Sequence, residues 1–285
     1  MSEIVASQQL PPGCQQPPPP TDAERSAFLV VDHVSKVFQS NREMVVALQD
    51  FSCSVDAGTF VAIVGPSGCG KSTLLRISAG LAQPTSGAVL VKGKKIEGPG
   101  PDRGVVFQSY TSFPWLTVRE NVEFGLKLRN ISEELRREAS RRLIAQVGLS
   151  GFENAYPETL SGGMKQRVAI ARTLANYPDI LIMDEPFGAL DYQTRWAMQE
   201  LLLDVWEKEK KTVLFVTHDI EEALFLADAV IVVSQRPGRV KNTLAIPFER
   251  PRVSALKANQ DFVAMKTEIV NLVRLEMPPE FGGRR

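Results

Sequence analysis

Three stretches of this chain bring together residue types that could act on a phosphate ester. The first is "GPSGCGKST", Gly65–Thr73. It fits the spacing G-x-x-x-x-G-K-[ST], and each fixed position has a physical reason. Gly65, Gly68 and Gly70, with Pro66, Ser67 and Cys69 between them, let successive backbone N–H groups turn inward toward phosphate oxygens. Lys71 reaches the terminal phosphates, the Ser72 hydroxyl suits Mg²⁺, and Thr73 continues the loop into a helix whose dipole favours an anion. The second stretch is "ILIMDEP", in which an apolar run ends on Asp184 and Glu185. Carboxylates at the tip of a buried strand are costly without a partner. Asp184 fits the acid that holds Mg²⁺ together with Ser72. Glu185, on the other side of the strand's alternation, would face the terminal phosphate and polarise an attacking water. The plain alternative is an acidic pair capping a helix. The third stretch, "VLFVTHD", repeats the design and ends on Thr217, His218 and Asp219. His218 is placed to hydrogen-bond a terminal phosphate, whereas the other histidine, His33, sits in the first strand without such company. The chemistry implied is binding of a nucleotide polyphosphate with Mg²⁺ and attack of water upon it.

Such residues must be carried by strand tips and helix starts. "FVAIVGPSGCGKSTLLRISAGL" reads as strand, loop and helix. "FLVV", "FVAIV", "GVVF", "ILIMD", "TVLFV" and "AVIVV" are short β-branched runs with helical patterns between several of them, which predicts an α/β fold around a mainly parallel sheet. "EMVVALQDFSCSV" and "GAVLV" read as flanking antiparallel strands. Residues of about 112–165 lack such runs and read as an inserted helical subdomain, with Leu135, Ala139, Leu143 and Val147 on the apolar face of one helix and Arg136, Arg137, Arg141 and Arg142 on a solvated one. Residues 1–26 read as a disordered proline-rich tail, with a polyproline docking segment as the alternative. Phe262, Met265, Ile269 and Leu272 recur at helical spacing, so residues 248–285 are expected to form a helical extension packed on the α/β lobe.

Composition narrows the function. With 33 basic and 33 acidic side chains among 285 residues the formal net charge is zero, which disfavours nucleic acid as a partner. Cys14, Cys53 and Cys69 lack metal-ligand spacing and suit a reducing compartment. The most apolar region is broken by His218, Asp219, Glu221, Glu222 and Asp228, and no signal peptide is expected, so work at a membrane would require a partner that spans it.

One further stretch, "LSGGMKQ" (Leu160–Gln166), has no chemistry of its own. It resembles the signature of the ATP-binding-cassette ATPases, and the resemblance extends over about residues 28–247, within an expected cassette domain of 27–247. The family resemblance implies a head-to-tail dimer with a second cassette, expected to be another copy of this chain. ATP would lie between the phosphate loop of one subunit and Ser161, Gly162 and Gly163 of the other. It also implies Gln108 near Mg²⁺ and the water, Asp191 at the dimer interface, His218 as the switch histidine and Phe38 stacking on adenine. An ordinary core position remains the alternative for Phe38. "GPGPDRGVVFQ", "FPWLTVREN" and "SQRPGRV" resemble the nitrate/sulfonate/taurine/bicarbonate importers. That implies an ATPase peripheral to the cytoplasmic face of the inner membrane, an integral-membrane permease and, indirectly, a solute-binding protein. Tyr110, Phe113 and Trp115 would then line a groove for a permease helix, the alternative for Trp115 being the core of the helical subdomain. The competing function is a soluble cassette that regulates or remodels without a permease.

Overall fold

The computed structural model describes residues 27–39, 44–109 and 111–274. The tail of residues 1–26 with Cys14, Tyr110, and residues 275–285 of the expected extension therefore lie outside the described residues. A six-stranded sheet has the order β10–β9–β3–β8–β7–β6, from β10 (Val240–Ala245), β9 (Ala229–Val233), β3 (Phe60–Val64), β8 (Thr212–Val216), β7 (Ile180–Asp184) and β6 (Arg103–Val106). All its pairings are parallel except β10 with β9. The inner strands β3, β8 and β9 are continuous apolar runs because both faces are covered, one by each of two apolar clusters. A second sheet, order β2–β1–β4–β5, is antiparallel and contains β1 (Leu29–Gln39), β2 (Met44–Val55), β4 (Ser86–Val91) and β5 (Lys94–Lys95). The run "FLVV" opens β1 in this second sheet, not in the parallel one. Its burial fits either place, because an apolar run reports a covered face and not the direction of its neighbour.

The helical region holds α2 (Val118–Leu128), α3 (Glu133–Gln146) and α4 (Gly162–Ala175), with a 3₁₀ turn at Pro157–Thr159. In α3, Leu143 is buried and Ala139 packs on the core, but Leu135 is 57% exposed. Leu135 keeps the helical phase and lies in the first turn, where the exposed Glu133 and Glu134 mark the end of the covered face. The arginine face is partly spent on the protein itself, with Arg137 paired to Glu133 at 2.6 Å and Arg142 bonded to the Tyr177 hydroxyl at 3.0 Å.

Before the last helix, α7 (Gln260–Arg274), the chain passes α5 (Tyr192–Glu209) and α6 (Ile220–Leu226). Phe262 and Ile269 of α7 are fully buried, and Met265 and Leu272 pack against the same cluster. Lys266 and Lys257 both reach Glu221 of α6, at 2.6 and 3.5 Å. Arg252 donates to the carbonyls of Leu224, Phe225 and Ala227 at the end of α6. Phe262→Ala is expected to cost about 3–5 kcal/mol of stability, because the ring is enclosed and meets Phe248 at 5.5 Å. Urea denaturation of the whole chain checks this; a loss below about 1 kcal/mol would mean the extension contributes little to the core.

Candidate active site

The topology gathers the chemical residues. β3, β8, β7 and β6 are successive neighbours, and the loops at their C-terminal ends carry the phosphate loop, His218, Asp184–Glu185 and Gln108 respectively. Ligands of open parallel sheets bind outside those strand ends.

After β3 the phosphate loop runs into α1 (Lys71–Ser78), whose N-cap Gly70 has φ 102°. This helix start has no side-chain cap and no acid in its first turn. By contrast, α2 begins with a capping box of Thr117 and Glu120, and α6 with Asp219 accepting from Glu221 and Glu222 N–H. The uncapped amide donors of α1 suit an anion from outside the chain. Lys71 is buried, and its Nζ donates to the carbonyls of Gly65 and Pro66 at 2.8 and 2.9 Å, with the buried Cys69 Sγ at 3.8 Å. Among the described residues no carboxylate is paired with this ammonium, which leaves it to a phosphate. The loop opens on a cavity of about 250 Å³ lined by Phe38, Val45, Ala47, Ser67, Gly68, Gly70, Lys71, Ser72, Thr73, Glu185 and Arg236. Phe38 is 47% exposed at this cavity, which removes the reading of it as an ordinary core residue.

The Ser72 hydroxyl donates to Asp184 Oδ1 at 3.1 Å across the mouth of the site. Burial pushes the Asp184 carboxyl above its ordinary range, and the Ser72 hydrogen bond works against that. A hydroxyl and a carboxylate are hard oxygen donors, so the pair fits Mg²⁺, whose charge would favour the ionised acid. Glu185 lies beyond the end of β7. Its φ of 44° takes it off the strand's alternation, so its direction is set by this left-handed turn and by its backbone N–H bonding Val216 O at 2.8 Å. Glu185 Oε2 shares a hydrogen bond with His218 Nδ1 at 2.9 Å and accepts a long one from Gln108 Nε2 at 3.5 Å. His218 is thus hydrogen-bonded to Glu185, and Gln108 reaches the same carboxylate.

Ser161, Gly162, Gly163 and Asp191 are not among the residues lining this cavity. Ser161 is the N-cap of α4 and accepts from Met164 N–H at 3.3 Å. The helix begins at Gly162, so both glycines lie inside it. Gly163 has a packing reason to be glycine, since a Cβ there would come within 2.4 Å of Thr194 Cγ2 on α5. Asp191 caps α5 by accepting from Thr194 N–H at 3.0 Å, so the two segments share Thr194.

A second surface lies beyond Gln108. Trp115 is 69% exposed, which removes the reading of it as core. Its ring centroid lies 5.5 Å from Phe113, which in turn lies 4.5 Å from Phe124 and beneath Arg172. The loop is held by buried Asn121, whose side chain accepts from Phe113 N–H and donates to the carbonyls of Phe113, Leu116 and Thr117. Beside it, Phe113, Phe124, Leu128 and Arg172 help line a shallow groove of about 590 Å³. Sequence reasoning missed Asn121 and Arg236, although "FPWLTVREN" and "SQRPGRV" contain both.

The sequence profile of the ABC transporter family matches residues 48–188. An uncharacterized ABC transporter ATP-binding protein of Methanocaldococcus jannaschii is 52% identical over 87% of this chain and 92% of its own length. The nitrate import ATP-binding protein of Synechocystis is 49% identical over 86% of this chain and 95% of its own. The bicarbonate transport ATP-binding protein of Synechococcus elongatus is 45% identical over 84% and 87%. Among solved structures, a dimeric ATP-binding cassette in a post-hydrolysis state with ADP and Pi superposes with a TM-score of 0.68 at 36% identity, covering 78% of this chain and all of that one.

Proposed function

This chain belongs to the ABC transporter family, and on that premise we propose that it is the ATP-hydrolysing subunit of an importer for a small anion of the nitrate or bicarbonate class. The observation that carries the chemistry is Glu185, held by His218 and Gln108 beside the cavity of the phosphate loop. Lys71 and the N-terminus of α1 bind the phosphates, and Phe38 stacks on the adenine. Ser72 and Asp184 hold Mg²⁺, which when bound offsets the charge on the phosphates. Glu185 takes the proton of the attacking water, while His218 and Gln108 fix the orientation of its carboxylate. Since Ser161, Gly162 and Gly163 do not line this chain's own cavity, their place in the reading is at the nucleotide of a second copy, where the start of α4 offers N–H groups and a helix dipole. The dimer found for the solved cassette supports that arrangement.

No helix among the described residues is long and apolar enough to cross a membrane. In this reading the solute path lies in a separate permease, with this subunit bound at the cytoplasmic face and a solute-binding protein delivering the anion, as the nitrate and bicarbonate import relatives suggest. The surface of the exposed Trp115 and the half-buried Phe113 is the docking site for the permease, because it lies a few residues from Gln108 and can follow the state of the nucleotide. Trp115→Ala is expected to weaken assembly with the permease and to uncouple uptake. The isolated subunit should keep its ATPase rate and its melting temperature, since an exposed side chain contributes about 0.5 kcal/mol or less to stability. Co-purification from membranes together with nitrate and bicarbonate uptake by reconstituted vesicles tests the whole reading; a chain that hydrolyses ATP and associates with no integral-membrane protein would contradict it.

A further inference from the structure

The loop between β9 and β10, Ser234–Arg239, lies against the phosphate loop and has no role in the reading above. Its shape is closed from within. Ser234 N–H donates to Arg239 O, Arg239 N–H donates back to Ser234 Oγ, and that hydroxyl donates to Pro237 O. It is also stitched to β2: Gly238 N–H donates to Ala47 O at 3.0 Å, Gln49 N–H to Gly238 O at 3.0 Å, and Arg239 Nη2 to Gln49 Oε1 at 2.5 Å. At Gly238 a Cβ would stand 2.1 Å from Cys69 O, so the loop touches the phosphate loop backbone to backbone. From this fixed base Arg236 Nε donates to Gly68 O at 3.0 Å. Arg236 also lines the nucleotide cavity together with Phe38, Lys71 and Thr73, and among the described residues it forms no ion pair.

Resting on the ATP reading above, we infer that Arg236 is a further nucleotide-binding residue, which holds the tip of the phosphate loop by the Gly68 carbonyl and turns the rest of its guanidinium to the phosphates. A guanidinium has five N–H donors in a rigid fork, and only the Nε donor is engaged with Gly68. Glu185 lines the same cavity but forms no ion pair with Arg236, so a cation at this wall strengthens phosphate binding through charge-assisted hydrogen bonds. An arginine that served only to tie two loops together would be replaceable without regard to how many phosphates the ligand carries.

The test compares trinitrophenyl derivatives of ATP and AMP with the full-length protein and its Arg236→Met, Arg236→Lys and Lys71→Ala variants. Binding is read from fluorescence, and melting temperatures are measured without nucleotide. Arg236→Met should weaken binding of the ATP derivative about tenfold and of the AMP derivative less than about twofold, with Arg236→Lys recovering part of the difference. Equal losses for both ligands, or no loss for the ATP derivative, overturn the assignment. If Arg236→Met melts well below the parent, Arg236→Lys alone decides, and parental affinity ratios with a lowered melting temperature would make Arg236 purely structural. Lys71→Ala guards the premise. If it keeps the parent's preference for ATP over AMP, the phosphate-site reading itself fails; if it loses that preference while Arg236→Met does not, only the Arg236 assignment fails.

Discussion

Replacing Glu185 by Gln should lower ATP turnover at least about a hundredfold and leave ATP affinity within about twofold of the parent. The amide keeps the size and planarity of the carboxylate, so the cavity that Glu185 helps line keeps its shape. What goes is the basic oxygen that accepts the proton of water. Glu185 Oε2 lies 2.9 Å from His218 Nδ1, and Gln retains an oxygen able to accept that hydrogen bond. Binding and chemistry should therefore separate, and the protein should accumulate with ATP bound. Single-turnover hydrolysis beside equilibrium ATP binding checks this. A variant with the parent's turnover would take the base role from Glu185, and one that lost ATP affinity would make it a binding residue instead.

Ser161→Arg is expected to abolish most turnover while leaving ATP binding by the isolated subunit near normal. Ser161 is exposed at the start of α4 and is not among the residues that line this chain's cavity. Its hydroxyl caps α4 through Met164 N–H, so the change should also cost about 1 kcal/mol of stability, visible as a small fall in melting temperature. That is far too little to unfold a domain of this size. The large effect comes from placing a long side chain where a second subunit's nucleotide must close. Collapse of ATP affinity in the monomer would show that Ser161 serves its own chain's site.

The local parts of this architecture are legible in the sequence, and the parts that depend on distant neighbours are not. Five-residue apolar runs marked the strands β3, β7, β8 and β9, because a strand covered on both faces has few polar positions to spare. The loop Gly65–Ser72 was legible because its glycine and lysine spacing is written in consecutive residues, and the structure places it at a cavity beyond β3. The partner of β1 was not legible, since burial is blind to strand direction. Alternation failed at Glu185 because one residue with φ 44° follows the strand end. The packing reason for Gly163 depends on Thr194, and the contact of Arg236 on Gly68, which is 168 residues away in sequence. No local pattern announces a contact of that range. Phe38 and Trp115 each had a buried and an exposed reading, and only the packing of other segments around them could choose.

The central claim is that each ATP is hydrolysed between two copies, with Lys71 from one and Ser161 from the other. Mixing two inactive variants tests it directly. Lys71→Ala removes a subunit's own phosphate loop but keeps its signature, and Ser161→Arg does the reverse. A mixed dimer then contains one site with both parts intact and one with neither. The account predicts that each variant alone shows almost no ATPase activity and that an equimolar mixture regains activity, rising with the fraction of mixed dimers. A mixture as inactive as its components, with mixed dimers demonstrated by cross-linking, would contradict a site shared between subunits.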